Sequence, residues 1–426
     1  MPNPYKIKQL KLPSGGRTAF LVERATGIPL FDPCVYTTTV LEPKGLAANS
    51  VVTHLRAIML LYVYFEMAKI DIDIRIKNGE CLQIGEIDEL ISLCRQPMAQ
   101  VIEQYERSQQ VRVTNAKVKS LEHYRLPQKS SAQKKYTEAK SRVSFIRNYI
   151  DHLLEKIETR ITTPKELKLL LTRRREETAK AFNARLPAHT KESRIGLRRG
   201  LTETEMVALE SVLDPESPQN PFKSKFVRYR NALLLHWFFG FTVRRGDVLK
   251  LKIGDINFTT GIVRFENRPN DKEDPRQYKP DGKTYDRDLK MSNDLLEFTE
   301  QFIFEKELRG AHLGEKTHSF LFISDDGEPL SLASTSKIFR TIRERISGLP
   351  KNLSSHWARY TVNEWLTRAW QAADMSEEQQ NKTRRYMNGW SAESGMVLHY
   401  NREIIRQQAN VYTQKSQEDM LKGRKK

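Results

Sequence analysis

The chain has 426 residues, 38% hydrophobic and 29% charged, which suits two to three cored domains and excludes wholesale disorder. A net charge of +18 points to a polyanionic partner, nucleic acid before an anionic membrane surface. Cys34, Cys81 and Cys94 are too few and too dispersed for a disulfide scaffold or a zinc finger. The most apolar run, residues 57–65, is short of the ~20 residues of a spanning helix. Residues 1–17 lack the apolar segment of a secretory signal, so a soluble protein of a reducing compartment is expected.

Residues 1–45 are rich in Thr, Val, Gly and Pro, with β-prone pieces at 18–22 and 35–40, and are expected to form an N-terminal arm or small β element. Asn49 or Ser50 can cap a helix running to about Lys69, whose apolar residues share one broad face. Residues 86–95 and 134–158 repeat that pattern, so 46–162 is expected to be a helical DNA-binding domain. Residues 163–200, with Pro164, Pro187, Gly196 and Gly200 among clustered arginines, look like a basic linker with some helix. A further domain, 201–426, opens at Thr202-Glu203-Thr204-Glu205, which has capping-box spacing. An apolar helix over 226–239 follows, then strands at 262–266 and 287–291 around a long polar loop, then helices to the end.

Charge is concentrated. Residues 107–147 hold eleven Lys or Arg against two Glu, and residues 163–200 hold eleven against four. Together they form a candidate phosphate-tracking surface, with Arg112, Lys117, Lys119, Lys134, Lys135 and Lys140 in one run. Arg173, Arg174, Arg175, Arg198 and Arg199 represent the other.

Four features of the C-terminal half carry chemistry. Arg244 follows the apolar helix, with Asp247 three residues on. Lys279-Pro280-Asp281-Gly282-Lys283 lies in the polar loop before the second strand. His356 and Arg359 sit one helical turn apart, so both side chains can reach one ligand. Gly389-Trp390 precedes Tyr400 by ten residues, counted from the Trp. Singly each is a weak signal.

In this order and spacing the set resembles the tyrosine recombinase (phage integrase) family. That family's motifs read Gly-Leu-Arg-x-x-Glu-Leu, a hairpin Lys, His-x-x-Arg, Gly-His/Trp and Tyr. The resemblance covers about residues 201–402, and more loosely 46–162, which look like the family's core-binding domain. It implies a mainly α fold with a small β-hairpin or sheet in the catalytic domain (α+β), the two domains forming a clamp around DNA. It implies Arg244 and Arg359 as the catalytic arginines, His356 between them, Trp390 in the His/Trp position and Tyr400 as the nucleophile. Lys279 is the favoured hairpin lysine and Lys283 the alternative. Asp247 replaces the usual Glu and is expected to orient Arg244. Arg245 competes with Arg244, but the Arg-x-x-acid register favours the latter.

The residue types suit the chemistry by themselves. A tyrosine attacking a phosphodiester needs its proton removed and the growing charge on phosphorus neutralised. Arginines match phosphate oxygens, a near-neutral imidazole can accept a proton, and an indole N–H can only donate. No carboxylate cluster for a metal and no Gly-rich ATP loop is present, so no cofactor is expected. The resemblance implies specific double-stranded DNA sites as partner, and a homo-oligomer that is a tetramer when synapsed. It leaves open helper recombinases and DNA-bending proteins. A type IB topoisomerase and a non-catalytic DNA-binding protein on the same fold are the alternatives.

Overall fold

The computed structural model describes residues 3–113, 136–186, 199–280, 282, 284–396, 406 and 409–418. It is mostly helical, with two small antiparallel sheets. The chain divides into two units, one of Met1–Leu12 with Arg17–Glu192, the other of Pro13–Gly16 with Ser193–Lys426.

The first unit is built on α2 (Ala48–Ala68), whose Val51, Leu55, Ile58 and Leu61 are buried in its core. The strands β1 (Tyr5–Lys11) and β2 (Arg17–Glu23) pair antiparallel, Tyr5 opposite Glu23, and pack on it. Residues 35–40 are helical rather than extended, within α1 (Phe31–Tyr36) and the π-helical turn Thr37–Leu41. The hydroxyls of Thr37 and Thr39 donate to carbonyls four residues back, and Tyr36 and Leu41 are buried, so tertiary contact overrides β propensity. Short α3 (Ile72–Lys77), α4 (Ile84–Cys94) and α5 (Met98–Val113) follow, then α6 (Tyr136–Glu158). Ala47, not Asn49 or Ser50, occupies the N-cap of α2.

By length and composition the 21-residue α2 could cross a membrane, which the uninterrupted run 57–65 did not suggest. It is the core helix of this unit, with eleven buried residues.

The expected linker carries instead a 20-residue helix, α7 (Lys165–Ala184), packed along α6. Leu171, Thr178 and Phe182 recur on one face and are buried, which binds this basic segment into the first unit.

The second unit surrounds α9 (Lys225–Gly240), which touches α8 (Glu203–Leu213), α10 (Arg245–Leu249), α11 (Asn293–Phe304) and α14 (Ser355–Ala372). Thr202 caps α8 with the expected reciprocal bonds to Glu205. A three-stranded antiparallel sheet joins β3 (Ile256–Asn257), β4 (Ile262–Phe265) and β5 (Arg287–Lys290), with Val263 opposite Leu289. After the short α12 (Ala311–Leu313) come α13 (Leu332–Arg345), α14 and α15 (Glu377–Asn388), and residues 409–418 are again helical.

Candidate active site

Helix α9 ends in buried Phe241, Thr242 and Val243, which deliver Arg244 to the N-cap of α10. The Asp247 carboxylate accepts the Arg244 backbone N–H at 3.2 Å. Asp247 therefore meets Arg244 through the main chain. Arg244 Nη1 is buried and has no hydrogen-bond partner among the described residues. Arg245 turns away, donating to the Leu332 carbonyl and the Ser336 hydroxyl on α13.

Asp247 is satisfied elsewhere. Its Oδ1 accepts the Thr284 hydroxyl at 3.0 Å, and its Oδ2 takes Arg287 Nη2 at 3.3 Å. The side chains of this ion pair are 1% and 3% exposed. Burial pushes the Arg287 pKa down, against the nearby carboxylate that holds it up. Arg287 also donates to the carbonyls of Met387 (2.9 Å) and Tyr285 (3.1 Å), which ties β5 to the end of α15. Sequence reasoning missed Arg287. The signal was available, because it shares the inward face of β5 with Leu289.

His356 and Arg359 stand on the first turns of α14, His356 exposed and Arg359 1% exposed. The Arg359 guanidinium lies over the Trp390 ring, and its Nη2 is 3.5 Å from the Asn388 carbonyl. Helix α15 ends at Gly389 in the left-handed region, φ 64°. A Cβ there would stand 2.7 Å from Arg287 Nη1 and 2.8 Å from Thr284 Cβ, so only glycine fits both the turn and the space. The Gly389 carbonyl accepts the Tyr285 N–H at 3.1 Å, and Trp390 packs beside Tyr360.

These elements enclose a pocket of about 440 Å³ lined by Arg244, Asn267, Thr284, Tyr285, Trp390 and Ser391, among others. The fold thus gathers Arg244 and Trp390 at one cavity, with Arg359 against the face of that indole. Neither His356 nor Lys279 is among the described lining residues.

Lys279 is not on a free hairpin tip. It is 6% exposed, and its ammonium donates to the carbonyls of Pro269 and Arg268. The surrounding loop is pinned by Arg276, which bonds Asp274 and the carbonyls of Leu249 and Leu330. Tyr400 and Lys283 lie outside the described residues. So do Lys117, Lys119, Lys134, Lys135, Arg198 and the side chain of Arg112.

The basic surface is partly neutralised. Arg175 bridges Asp151 and Glu158 at 2.8 Å each, and Arg173 and Arg174 both reach Glu177 at 2.9 Å. Arg199 pairs with Glu205 and lies over the Trp357 ring. Lys140 is exposed on α6.

The model of the Phage integrase family matches residues 201–379, a span that holds Arg244, Lys279, His356 and Arg359 and stops before Gly389. No curated protein matches the chain. Among solved structures, the Tn1549 transposon integrase in complex with transposon right end DNA is similar at 11% identity. That match covers 88% of this chain and 100% of that one, with a TM-score of 0.45. The XerA recombinase is similar at 16% identity, over 78% of this chain and 96% of that one, with a TM-score of 0.35. XerH recombinase bound to a palindromic difH substrate is similar at 14% identity, over 78% and 95%, with a TM-score of 0.38. Residues 201–379 of the chain thus carry a Phage integrase family domain, as the resemblance to the tyrosine recombinases implied.

Proposed function

We propose that this chain is a site-specific DNA recombinase or integrase that cuts and rejoins double-stranded DNA through a 3′-phosphotyrosyl intermediate. The observation that carries this reading is a cavity lined by Arg244 and Trp390, with Arg359 against the face of that indole. A guanidinium nitrogen buried without a partner among the described residues suits a phosphate oxygen, and the planar fork of arginine matches it.

In the proposed reaction the Tyr400 hydroxyl attacks the scissile phosphorus. The bond from phosphorus to the 5′ oxygen breaks, and the phosphate stays on the 3′ side as a tyrosyl ester. His356 takes the phenolic proton or hydrogen-bonds the phosphate, and a hairpin lysine, Lys279 or Lys283, protonates the leaving 5′ oxygen. Arg244, Arg359 and the Trp390 N–H stabilise the charge that grows on the phosphorane. A 5′ hydroxyl of the partner strand then attacks the ester, releasing Tyr400. The ester conserves the phosphodiester energy, so the cycle balances without ATP. The reading carries with it a synaptic tetramer on two DNA sites.

The test is a nicked suicide duplex carrying the candidate site. The wild-type chain is expected to form a covalent protein–DNA band, and Tyr400→Phe to bind DNA without forming it. An undiminished adduct in Tyr400→Phe would move the nucleophile, with Tyr386 next in line. Pairing a supercoil-relaxation assay with a two-site recombination assay separates a topoisomerase from a recombinase.

A further inference from the structure

Behind the cavity, α14 and α15 are joined by polar side chains that the proposed chemistry does not use. Asn363, Arg384 and Asn388 are all fully buried. Arg384 Nη1 donates to the Asn363 carbonyl and side-chain oxygens, at 3.1 Å each, and Nη2 donates to the Thr367 hydroxyl at 2.6 Å. Its guanidinium lies over the Trp370 ring. No carboxylate is among these partners, and Arg384 Nε is buried without one among the described residues. Burial alone holds its pKa down to about 10. A buried cation faced only by neutral acceptors is a poor way to gain stability.

What the cluster does hold is geometry. The Asn363 amide donates to the Arg359 carbonyl at 2.8 Å, and the Asn388 amide donates to Asn363 Oδ1 at 3.2 Å. The Asn388 amide also reaches the Arg384 carbonyl at 2.9 Å, closing the last turn of α15. The next two residues are Gly389 and Trp390, and the Asn388 carbonyl faces Arg359 Nη2. One polar block therefore grips the backbone of Arg359 on α14 and the base of the Gly389-Trp390 turn on α15.

We infer that Arg384, acting through Asn363 and Asn388, is a positioning residue that fixes Arg359 and Trp390 relative to each other. An apolar side chain could fill the same volume, but it would leave the rotation of α15 against α14 unspecified. This inference deepens the proposed recombinase function and rests on it for its kinetic consequence. A misplacement of about 1 Å at a reacting centre can cost about 100-fold in rate.

The experiment compares the wild-type chain, Arg384→Met and Thr367→Val, the last removing one acceptor with little change in shape. Each is labelled with 5-fluorotryptophan, the Trp390 resonance being assigned through Trp390→Phe. Single-turnover cleavage, DNA affinity and the 19F spectrum are then measured. Arg384→Met is expected to cleave about 10- to 100-fold more slowly, bind DNA within about twofold of wild type, and shift the Trp390 resonance. Thr367→Val is expected to shift it less, in the same direction. Wild-type cleavage by Arg384→Met, or an unmoved Trp390 resonance, overturns the inference. If Arg384→Met does not fold, an unmoved Trp390 resonance in Thr367→Val overturns it alone. A wild-type chain that forms no adduct would instead defeat the recombinase reading, while the resonance still decides the positioning.

Discussion

The guanidinium carbon of Arg359 stands 5.5 Å from the centre of the Trp390 ring, over its face. The indole thus serves as a platform for a cation as well as a hydrogen-bond donor. Trp390→Phe should keep the platform and lose the donor, and is expected to cleave better than Trp390→Ala. Arg359→Lys and Arg244→Ala should each lower single-turnover cleavage by at least about 100-fold, since removing one transition-state donor typically costs that much. Lysine cannot replace the planar fork. Wild-type cleavage by Arg359→Lys would refute the clamp.

The leaving-group acid can be found with a 5′-bridging phosphorothioate substrate, whose thiolate departs without a proton. Lys279 is held by two backbone carbonyls inside its loop. Lys279→Ala is therefore expected to stay slow on both substrates, through loss of loop structure, while Lys283→Ala recovers on the thio substrate. The reverse pattern returns the acid to Lys279.

Asp247→Asn leaves Arg287 buried with no counter-charge. Breaking such a pair typically costs about 3–5 kcal/mol, so denaturant unfolding should show a loss of that size. A change below about 1 kcal/mol would mean that Arg287 finds another anion or reaches water.

Arg175 is engaged by three carboxylates, Asp151, Glu155 and Glu158, which raise its pKa chiefly through the hydrogen bond to Asp151. Arg175→Ala should lower Tm and leave the salt dependence of DNA binding unchanged. Lys134→Ala with Lys135→Ala should instead reduce the slope of log affinity against log salt by about 2, one for each phosphate contact. An unaltered slope would remove that run from the DNA surface.

His54 stacks on Phe145 at 3.8 Å, and burial, aided by Lys44, lowers its pKa. The folded state therefore favours the neutral ring. Stability from this site is complete above the unfolded pKa of about 6.5 and is lost as pH falls through the lower folded value. Tm should drop between about pH 7 and pH 5, and His54→Phe should drop less. Equal drops would assign the effect to other groups, His152 and His236 first, both also lowered by burial.

The helices of the second unit were legible because periodicity and capping agree there. The Thr202 capping box and the apolar face of α9 are local signals, and the structure forms both. The order Arg, His-x-x-Arg, Gly-Trp was equally legible, and three of those side chains meet at one site. Arg287 and Arg384 were not, because a basic residue declares itself buried only when the distant segments that cover it are known. The anchoring of the Lys279 loop was illegible for the same reason: a polar stretch gives no sign of fixed structure until Arg276 is seen fastening it. Residues 163–200 looked like a linker because charge outnumbered the three buried positions, Leu171, Thr178 and Phe182, that seat α7.

The seating of α7 on α6 has a practical consequence for dividing the protein. A polypeptide ended at residue 162 would strip α6 of the helix that covers it and expose its apolar side to other molecules, inviting aggregation. One started at residue 163 would carry Leu171 and Phe182 as solvent-facing passengers. Separate production of the two halves is best served by cleavage between Leu186 and Arg199, which keeps α7 with its own unit and spares the Arg199–Glu205 pair for the other.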